Sequence, residues 1–283
     1  MSQGLPSFDL VVATVDRTEE LARFLESVAA QGAEHVRVII VDQNADARLD
    51  SVLEAAPLRI ERIAAPRGLS RARNAGLGLI EADIVAFPDD DCVYPPGLLV
   101  RVGKTLAADT TLDGVSGRSV NAQGESAASW KSEGALLTDD NLWNRVISFS
   151  VFLRRDVVDE VGHFDEELGL GSGTPWASGE EIDYLVRAIR SGARIAYDPS
   201  LLVEHEIRSD NLRLGARDGA SIGYVLRKHH YPVNVVLRML VRPVGGALVS
   251  SLRLDAARRG YHLATLRGRV RGYRGAKRSN SSV

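Results

Sequence analysis

Three acidic clusters are the parts of this chain best equipped for chemistry. The first, Pro88-Asp89-Asp90-Asp91, sets three carboxylates side by side. Adjacent anions repel, so such a run calls for a cation or several N–H donors. In an extended segment residues i and i+2 point the same way, so Asp89 and Asp91 can face one ligand together. Hard cations such as Mg2+ or Mn2+ favour these oxygen donors and usually share them with substrate phosphates. An acidic cap before Pro95-Pro96 is the competing reading.

The second cluster is Ser178-Gly179-Glu180-Glu181-Ile182-Asp183. Ile182, Leu185, Val186 and Ile189 form an apolar stripe of helical period. That stripe puts Glu180 and Glu181 in the first turn, off the buried face. Acidic side chains suit that end of the helix dipole, so a cap competes with a catalytic carboxylate. A general base must reach the hydroxyl it deprotonates, with a pKa raised by burial or by a neighbour. Asp183, four residues before Arg187, also reads as half of a surface ion pair.

The third cluster is Val203-Glu204-His205-Glu206. A neutral imidazole at His205 can complete a site whose other ligands are carboxylates; a structural hydrogen bond is the plainer reading. Arg67-Gly68-Leu69-Ser70-Arg71-Ala72-Arg73-Asn74 adds a basic, glycine-containing helix start suited to phosphate oxygens. It lacks both GxGxxG and GxxxxGK[ST], so neither a dinucleotide fingerprint nor a P-loop is indicated.

The elements that must position these residues alternate between strand and helix. Residues 9–15 (DLVVATV) and 36–42 (VRVIIVD) are short apolar runs, as expected of strands buried on both faces. Between them Leu21, Phe24, Leu25 and Val28 mark one face of a helix, and Asp16 with Glu19 reads as its capping box. A strand at 58–63, a helix at 70–81 and a strand at 84–87 follow. The alternation predicts an α/β fold: a mostly parallel sheet flanked by helices. Ligands of such sheets bind beyond the carboxyl ends of the strands, where Thr14-Val15-Asp16-Arg17, Asp42-Gln43-Asn44 and Asp89-Asp90-Asp91 fall. Strands are expected near 115–120, 147–153 and 194–197, and a helix at 154–161. The loop 169–179 carries four glycines, enough freedom to close over a ligand. From 211 onward the pattern is helical. The expected division is a catalytic domain over 1–210 and a helical basic C-terminal extension over 211–283.

Composition bounds the class. With 45% hydrophobic and 25% charged residues, a disordered chain, a collagen-like fibre and a disulfide scaffold are excluded. The single cysteine, Cys92, fits a reducing compartment, and the N-terminus lacks a signal-peptide pattern. Residues 233–249 contain Arg238, Arg242 and Pro243, which reads as too polar for a spanning helix. The expected location is therefore cytoplasmic. Residues 238–283 carry eleven Lys/Arg against Asp255, a balance of +10, while the rest of the chain stands at −12. Such a tail suits an anionic surface. Only Tyr261 and Tyr273 interleave its charges, too few aromatics for a nucleic-acid partner. Arg238 and Arg242, one turn apart among Val235, Val236, Leu237, Met239 and Leu240, suggest an interfacial helix at the inner face of the plasma membrane.

In order, VVATVDRTEELARFLESV, VIIVDQN, GLSRARNAG, IVAFPDDDCVYPPG, GSGTPWASGEEIDYLVRAI and EH resemble the inverting family 2 glycosyltransferases of GT-A fold, over roughly residues 8–206. The resemblance implies a nucleotide-diphosphate sugar donor and a divalent metal, Mg2+ or Mn2+, bound at an Asp-x-Asp motif. Asp91 then matches the main metal ligand, Asp89 a contact to donor ribose or metal within the Asp89-Asp90-Asp91 motif, and His205 the histidine that completes the site. Asp42 matches the acidic residue at the base or ribose; Thr14, Asp16 and Arg17 line the nucleotide pocket; Arg73 is the arginine of the family's "ARN" element. The family reads Glu-Asp where this chain has Glu180-Glu181, so the matching base is Glu181, a longer carboxylate. Glu180 and Asp183 are the other candidates for the proton transfer. Cys92 stands where a further Asp is frequent and is expected to pack. Trp176 is either a sugar-stacking platform or a packing residue.

The reaction so implied is a single displacement on the donor's anomeric carbon by a hydroxyl of a glycan or lipid-linked glycan, as in polysaccharide biosynthesis. A sugar nucleotidyltransferase would need a glycine- and lysine-rich phosphate loop, which ATVDRTEE does not supply. A non-catalytic nucleotide- or glycan-binding relative would have no use for all three acidic clusters.

Overall fold

The computed structural model describes residues 5–126, 129–206 and 211–276. The extreme N-terminus, the expected domain boundary at 210 and the last seven residues of the basic tail lie outside the described residues. The chain divides into two compact units, Met1–Phe164 with Tyr184–Ile207, and Asp165–Asp183 with Arg208–Val283.

The first unit is built on an eight-stranded sheet of order β3-β2-β1-β4-β7-β5-β8-β6. Its strands are β1 (Phe8–Thr14), β2 (Val36–Asp42), β3 (Arg59–Ala64), β4 (Ile84–Ala86), β5 (Gly114–Val120), β6 (Ala135–Leu136), β7 (Val151–Arg154) and β8 (Ile195–Glu204). The flanking helices are α1 (Glu19–Ala29), α2 (Asp50–Ala55), α3 (Leu69–Leu77), α4 (Leu98–Ala108) and α5 (Arg155–Val161). β1 runs parallel to both β2 and β4, and β5 is parallel to β8. β7 is antiparallel to β4 and β5, and β6 to β8. The chain leaves β1 toward β2 on one side and returns to β4 on the other. β1 therefore marks the switch point where such sheets bind ligands.

Apolar burial explains the helices. Leu21, Phe24, Leu25 and Val28 of α1 pack with Leu10, Val12, Val38 and Ile40 of the sheet, all within a few per cent of complete burial. The α1 start differs from expectation. The cap position is Thr18, with no side-chain cap bond. Asp16 instead adopts φ 59 and accepts bonds from Arg48 and Arg67; Asp tolerates this left-handed region better than most residues. At the opposite end of β1, Arg37 grips Asp9 bidentately at 2.8 and 2.7 Å. The Glu81 and Ala82 amides donate to the same carboxylate. Burial opposes ionisation of Asp9, but the Arg37 and amide bonds outweigh it and hold the carboxyl below its usual range.

The second unit contains α7 (Leu212–Lys228), α8 (Val233–Leu252) and α9 (Ala256–Gly275). α7 and α9 meet backbone to backbone. A Cβ at Gly219 would strike the Thr265 carbonyl, one at Gly223 the Arg269 carbonyl, and one at Gly272 the Ala220 carbonyl. Two small-residue ridges, Gly215/Gly219/Gly223 and Gly268/Gly272, thus replace interdigitating side chains. Pro243 sits inside α8, where it can donate no bond to the Met239 carbonyl one turn earlier. Arg269 of α9 supplies the missing donor to that carbonyl.

α6 (Glu180–Arg190) begins in the second unit and ends in the first. Sequence reading kept Asp165–Asp183 with the first 210 residues, but the structure clusters it with the C-terminal helices. The reason is a set of polar bonds: Lys228 Nζ to Asp165 at 2.6 Å, Tyr224 Oη to Glu167 at 2.6 Å, and Ser178 Oγ to Asp218 at 3.1 Å.

Candidate active site

The carboxyl ends of β1, β2 and β4 bring the first set of predicted residues together. Thr14 and Asp42 are register partners at the ends of β1 and β2, and Asp89 forms an isolated bridge with Ala13. After that bridge the chain is not extended. It turns, with the Cys92 amide 3.3 Å from the Asp89 carbonyl. This turn, rather than strand alternation, brings Asp89 and Asp91 to one place. Cys92 is fully buried in the core, and burial pushes its thiol well above the ordinary range, as befits a packing residue.

His205 reaches the same place through the end of β8. Val93 and Glu204 exchange two backbone hydrogen bonds, at 2.8 and 3.0 Å, and the His205 amide donates to the Val120 carbonyl. The imidazole stacks on Phe149, with centroids 4.7 Å apart and planes 12° from parallel. Its Nδ1 donates to the Glu206 carbonyl at 2.8 Å, which fixes the tautomer and leaves the Nε2 lone pair facing inward. Nε2 lies 3.1 Å from Asp91 Oδ1 without the alignment of a hydrogen bond. Burial opposes charge on His205, but Asp91 and then Asp89 outweigh it and raise the imidazole's pKa.

One ligand atom each from Asp89, Asp91 and His205 lies within 4.8 Å of the others. Two carboxylate oxygens and a buried imidazole nitrogen converging this closely fit a divalent cation of the Mg2+/Mn2+ kind. A cleft of about 690 Å3 opens beside them, lined in part by Arg17, Asn121, Gln123, Glu204 and Glu206.

Cationic side chains hold the rest of this edge. Arg17 Nη1 is 2.5 Å from Asp90 and 2.7 Å from Asp91. Burial works against the Arg17 charge, yet the two aspartates raise its pKa. Asp90 is raised by burial, an effect that Arg17 and the Thr14 hydroxyl partly offset. Arg73, 1% exposed, places Nη2 3.2 Å from Asp89 and its guanidinium 5.5 Å from the centre of the Phe164 ring. Asp42 is buried and fixed on both oxygens, by Asn44 on Oδ1 and by Arg62 at 2.5 and 3.0 Å on Oδ2. Asp16 stands exposed at the rim.

The second unit holds the other acidic cluster. Glu180 and Glu181 open α6, but Glu180 is buried, contrary to the placement off the buried face. Asp183 is not at the surface either. It is 0% exposed, and its Oδ1 lies 2.6 Å from Lys228 Nζ and 2.8 Å from His229 Nε2. Such a carboxylate anchors the first turn of α6 to α7. The loop 169–179 is tied by its own bonds, from the Gly169 amide to the Trp176 carbonyl and from Thr174 Oγ1 to the Glu167 carbonyl. Its four glycines all have positive φ, a backbone path that glycine adopts without a side-chain clash. Trp176 is buried, stacked on Tyr224 at 5.1 Å and backed by Gly275, which is the packing alternative.

Sequence reasoning missed Arg62, Lys228 and His229. Arg62 lies on the edge strand β3, one residue before the Ile63 that pairs with Val41, so its approach to the end of β2 required the strand pairing. Lys228 and His229 close a helix 45 and 46 residues beyond Asp183, a separation no local pattern reveals.

Residues 9–163 match the family described as "Glycosyl transferase family 2". The succinoglycan biosynthesis protein ExoO of Rhizobium meliloti is 29% identical over 245 residues, covering 80% of this chain and 65% of that protein. The pre-mycofactocin glycosyltransferase of Mycobacterium tuberculosis is 30% identical over 187 residues, covering 62% and 38%. The chain thus spans less than two thirds of the length of either relative. Among solved structures, the mannosyltransferase PcManGT of Pyrobaculum calidifontis, in complex with GDP-Man and Mn2+, aligns with TM-score 0.65 at 14% identity, covering 94% of this chain and 87% of that one. S. aureus TarS 1-349 in complex with UDP-GlcNAc aligns with TM-score 0.60 at 16% identity, covering 92% and 90%. These likenesses establish the GT-A-type fold. Since the family match takes in more than half of the chain, the protein belongs to glycosyl transferase family 2.

Proposed function

We propose that this protein is an inverting, metal-assisted glycosyltransferase that moves a sugar from a nucleotide-diphosphate donor to a hydroxyl of a glycan or lipid-linked glycan. The observation that carries this reading is the convergence of Asp89, Asp91 and His205 within 4.8 Å at the switch point of a family 2 sheet. The names of the relatives support it: ExoO acts in succinoglycan biosynthesis, and the solved neighbours bind GDP-Man with Mn2+ or UDP-GlcNAc.

Asp91 and His205, with Asp89, hold the divalent ion, which when bound supplies positive charge against the leaving diphosphate, a contribution of several kcal/mol. Arg73, buried and aimed at Asp89, adds a fixed cation there. Arg17 holds Asp90 and Asp91 in place and opposes the rise that burial gives the Asp90 carboxyl. Thr14, Asp16 and Asp42 line the nucleotide end, with Asp42 oriented by Arg62 and Asn44. Glu181 takes the proton of the attacking hydroxyl as the new glycosidic bond forms at the anomeric carbon. The bond to the diphosphate breaks on the opposite face, so configuration inverts. Asp183 cannot share the base's task while fully buried against Lys228 and His229. It positions the turn that carries Glu181.

A panel of nucleotide sugars tests this reading through metal-dependent hydrolysis and the anomer released. The inverted anomer and loss of turnover on chelation are expected. Glu181→Gln is expected to abolish transfer while leaving donor binding intact. Stabilisation by nucleotide without any turnover would make the protein a binder, and a Glu181→Gln variant that kept most of its rate would displace the base.

A further inference from the structure

α8 presents an unpartnered apolar face. At 3.6 residues per turn, Val233, Leu237, Val241, Val244, Leu248 and Leu252 fall within an arc of about 100° along the whole helix. All six are exposed; Leu237 retains 55% of its surface and Leu248 62%. The opposite face, Val235, Val236, Met239, Pro243, Ala247 and Ser250, is buried. Of the Val235, Val236, Leu237, Met239 and Leu240 set expected at an interface, the exposed stripe therefore keeps Leu237, while Val235, Val236 and Met239 are buried. α8 is also the helix among the described residues long and apolar enough to cross a membrane.

Charge decides how this face is covered. Residues 233–276 contain nine arginines and one acidic residue, Asp255. Arg238 and Arg242 border the stripe on the next turn of the helical wheel. Arg269 of α9 lies on the packed side instead, its guanidinium donating to the carbonyl of the buried Met239. Burial, and then the Arg242 charge, push Arg269 down to about 10. Arg238 and Arg242, both exposed beside an apolar stripe, are complementary to phosphate-bearing lipid headgroups. Arg242 is the tenth residue of this 20-residue helix, so a spanning orientation would set a guanidinium at the bilayer centre. Lying in the plane avoids this, sinking the stripe among acyl chains while the arginines meet headgroups.

We infer that α8 docks in the plane of an anionic lipid leaflet, with the Val233–Leu252 stripe inserted and the exposed Arg238 and Arg242 meeting lipid phosphates. This partner is independent of the transfer chemistry proposed above.

Flotation of the full chain with vesicles tests it, using pure phosphatidylcholine against vesicles about one third phosphatidylglycerol. Wild type is expected to float with the anionic vesicles at low salt and to be released at high salt. Leu237→Glu with Leu248→Glu is expected to cut partitioning by about tenfold or more, and Arg242→Glu to cut it severalfold. The melting temperatures of these variants should stay unchanged, because the side chains are exposed. The inference is overturned by absence of flotation, by equal binding to neutral vesicles, or by glutamate variants that float like wild type. Retention through an alkaline carbonate wash would overturn it in favour of a spanning helix. A soluble dimer that the glutamates split, with no vesicle binding, would overturn it in favour of a second copy of the chain.

Discussion

Replacing Asp183 by Ala removes an acceptor that Lys228 and His229 share inside the second unit. The carboxylate is 0% exposed, so water cannot take its place. Breaking a buried ion pair by deleting one partner costs about 3–5 kcal/mol, chiefly because the other charge is left uncompensated. Here Lys228 keeps Asp165 at 2.6 Å, which limits that part of the loss. His229 Nε2, itself buried, loses its partner and adds about 1–3 kcal/mol. The expected destabilisation of Asp183→Ala is therefore about 4 kcal/mol, the low end of the combined range. Asp183→Asn preserves shape and one acceptor, and is expected to cost about half as much. Urea denaturation of the full chain measures both, and a double-mutant cycle with His229→Ala isolates the coupling. A loss under about 1 kcal/mol for the alanine variant would refute the anchoring argument. So would an Asp183→Asn variant with native stability and donor affinity but no turnover, since it would make Asp183 the base.

The Asp9–Arg37 pair gives the fold an acid limb. The carboxyl's folded pKa is depressed, so its contribution is present above the unfolded value of about 3.9 and is lost as pH falls through the lower folded value. Asp9→Asn should cost about 3 kcal/mol at neutral pH, and its stability should fall less steeply than wild type below about pH 4. Identical acid limbs in denaturation curves would exclude this. In the α7–α9 contact, Gly223→Ala drives a methyl onto the Arg269 carbonyl and should destabilise by about 1–3 kcal/mol. Gly245→Ala on α8 meets open space and should stabilise by up to about 1 kcal/mol. Melting curves with the same sign for both would contradict the backbone-to-backbone packing.

Much of the first unit was legible because its signals are local. The uninterrupted run VRVIIVD can only be a strand buried on both faces, and it spans β2 residue for residue. β8 was half hidden. Asp198-Pro199-Ser200 interrupts its apolar pattern after Tyr197, and only the register shift opposite Ser116 and Arg118 lets the strand run on to Glu204. The antiparallel insertion of β7 had no local mark either. Asp16 and Glu19 had capping-box spacing, but Arg48 and Arg67 draw the Asp16 side chain elsewhere. Asp89, Asp91 and His205 stood out in the sequence by residue type and order, and their convergence depends on the Val93–Glu204 bridge. The tail read as basic and helical. The exposed face of α8 became visible only once packing had taken its other side.

The most direct test of the account is titration of Mn2+ into the protein in the presence of a nucleoside diphosphate, followed by calorimetry, for wild type, Asp91→Asn and His205→Ala. One ion per chain is expected, with affinity reduced about tenfold or more in each variant and melting temperatures close to wild type. Equal Mn2+ affinity in all three proteins would show that these side chains do not hold the ion and would contradict the proposed catalytic centre.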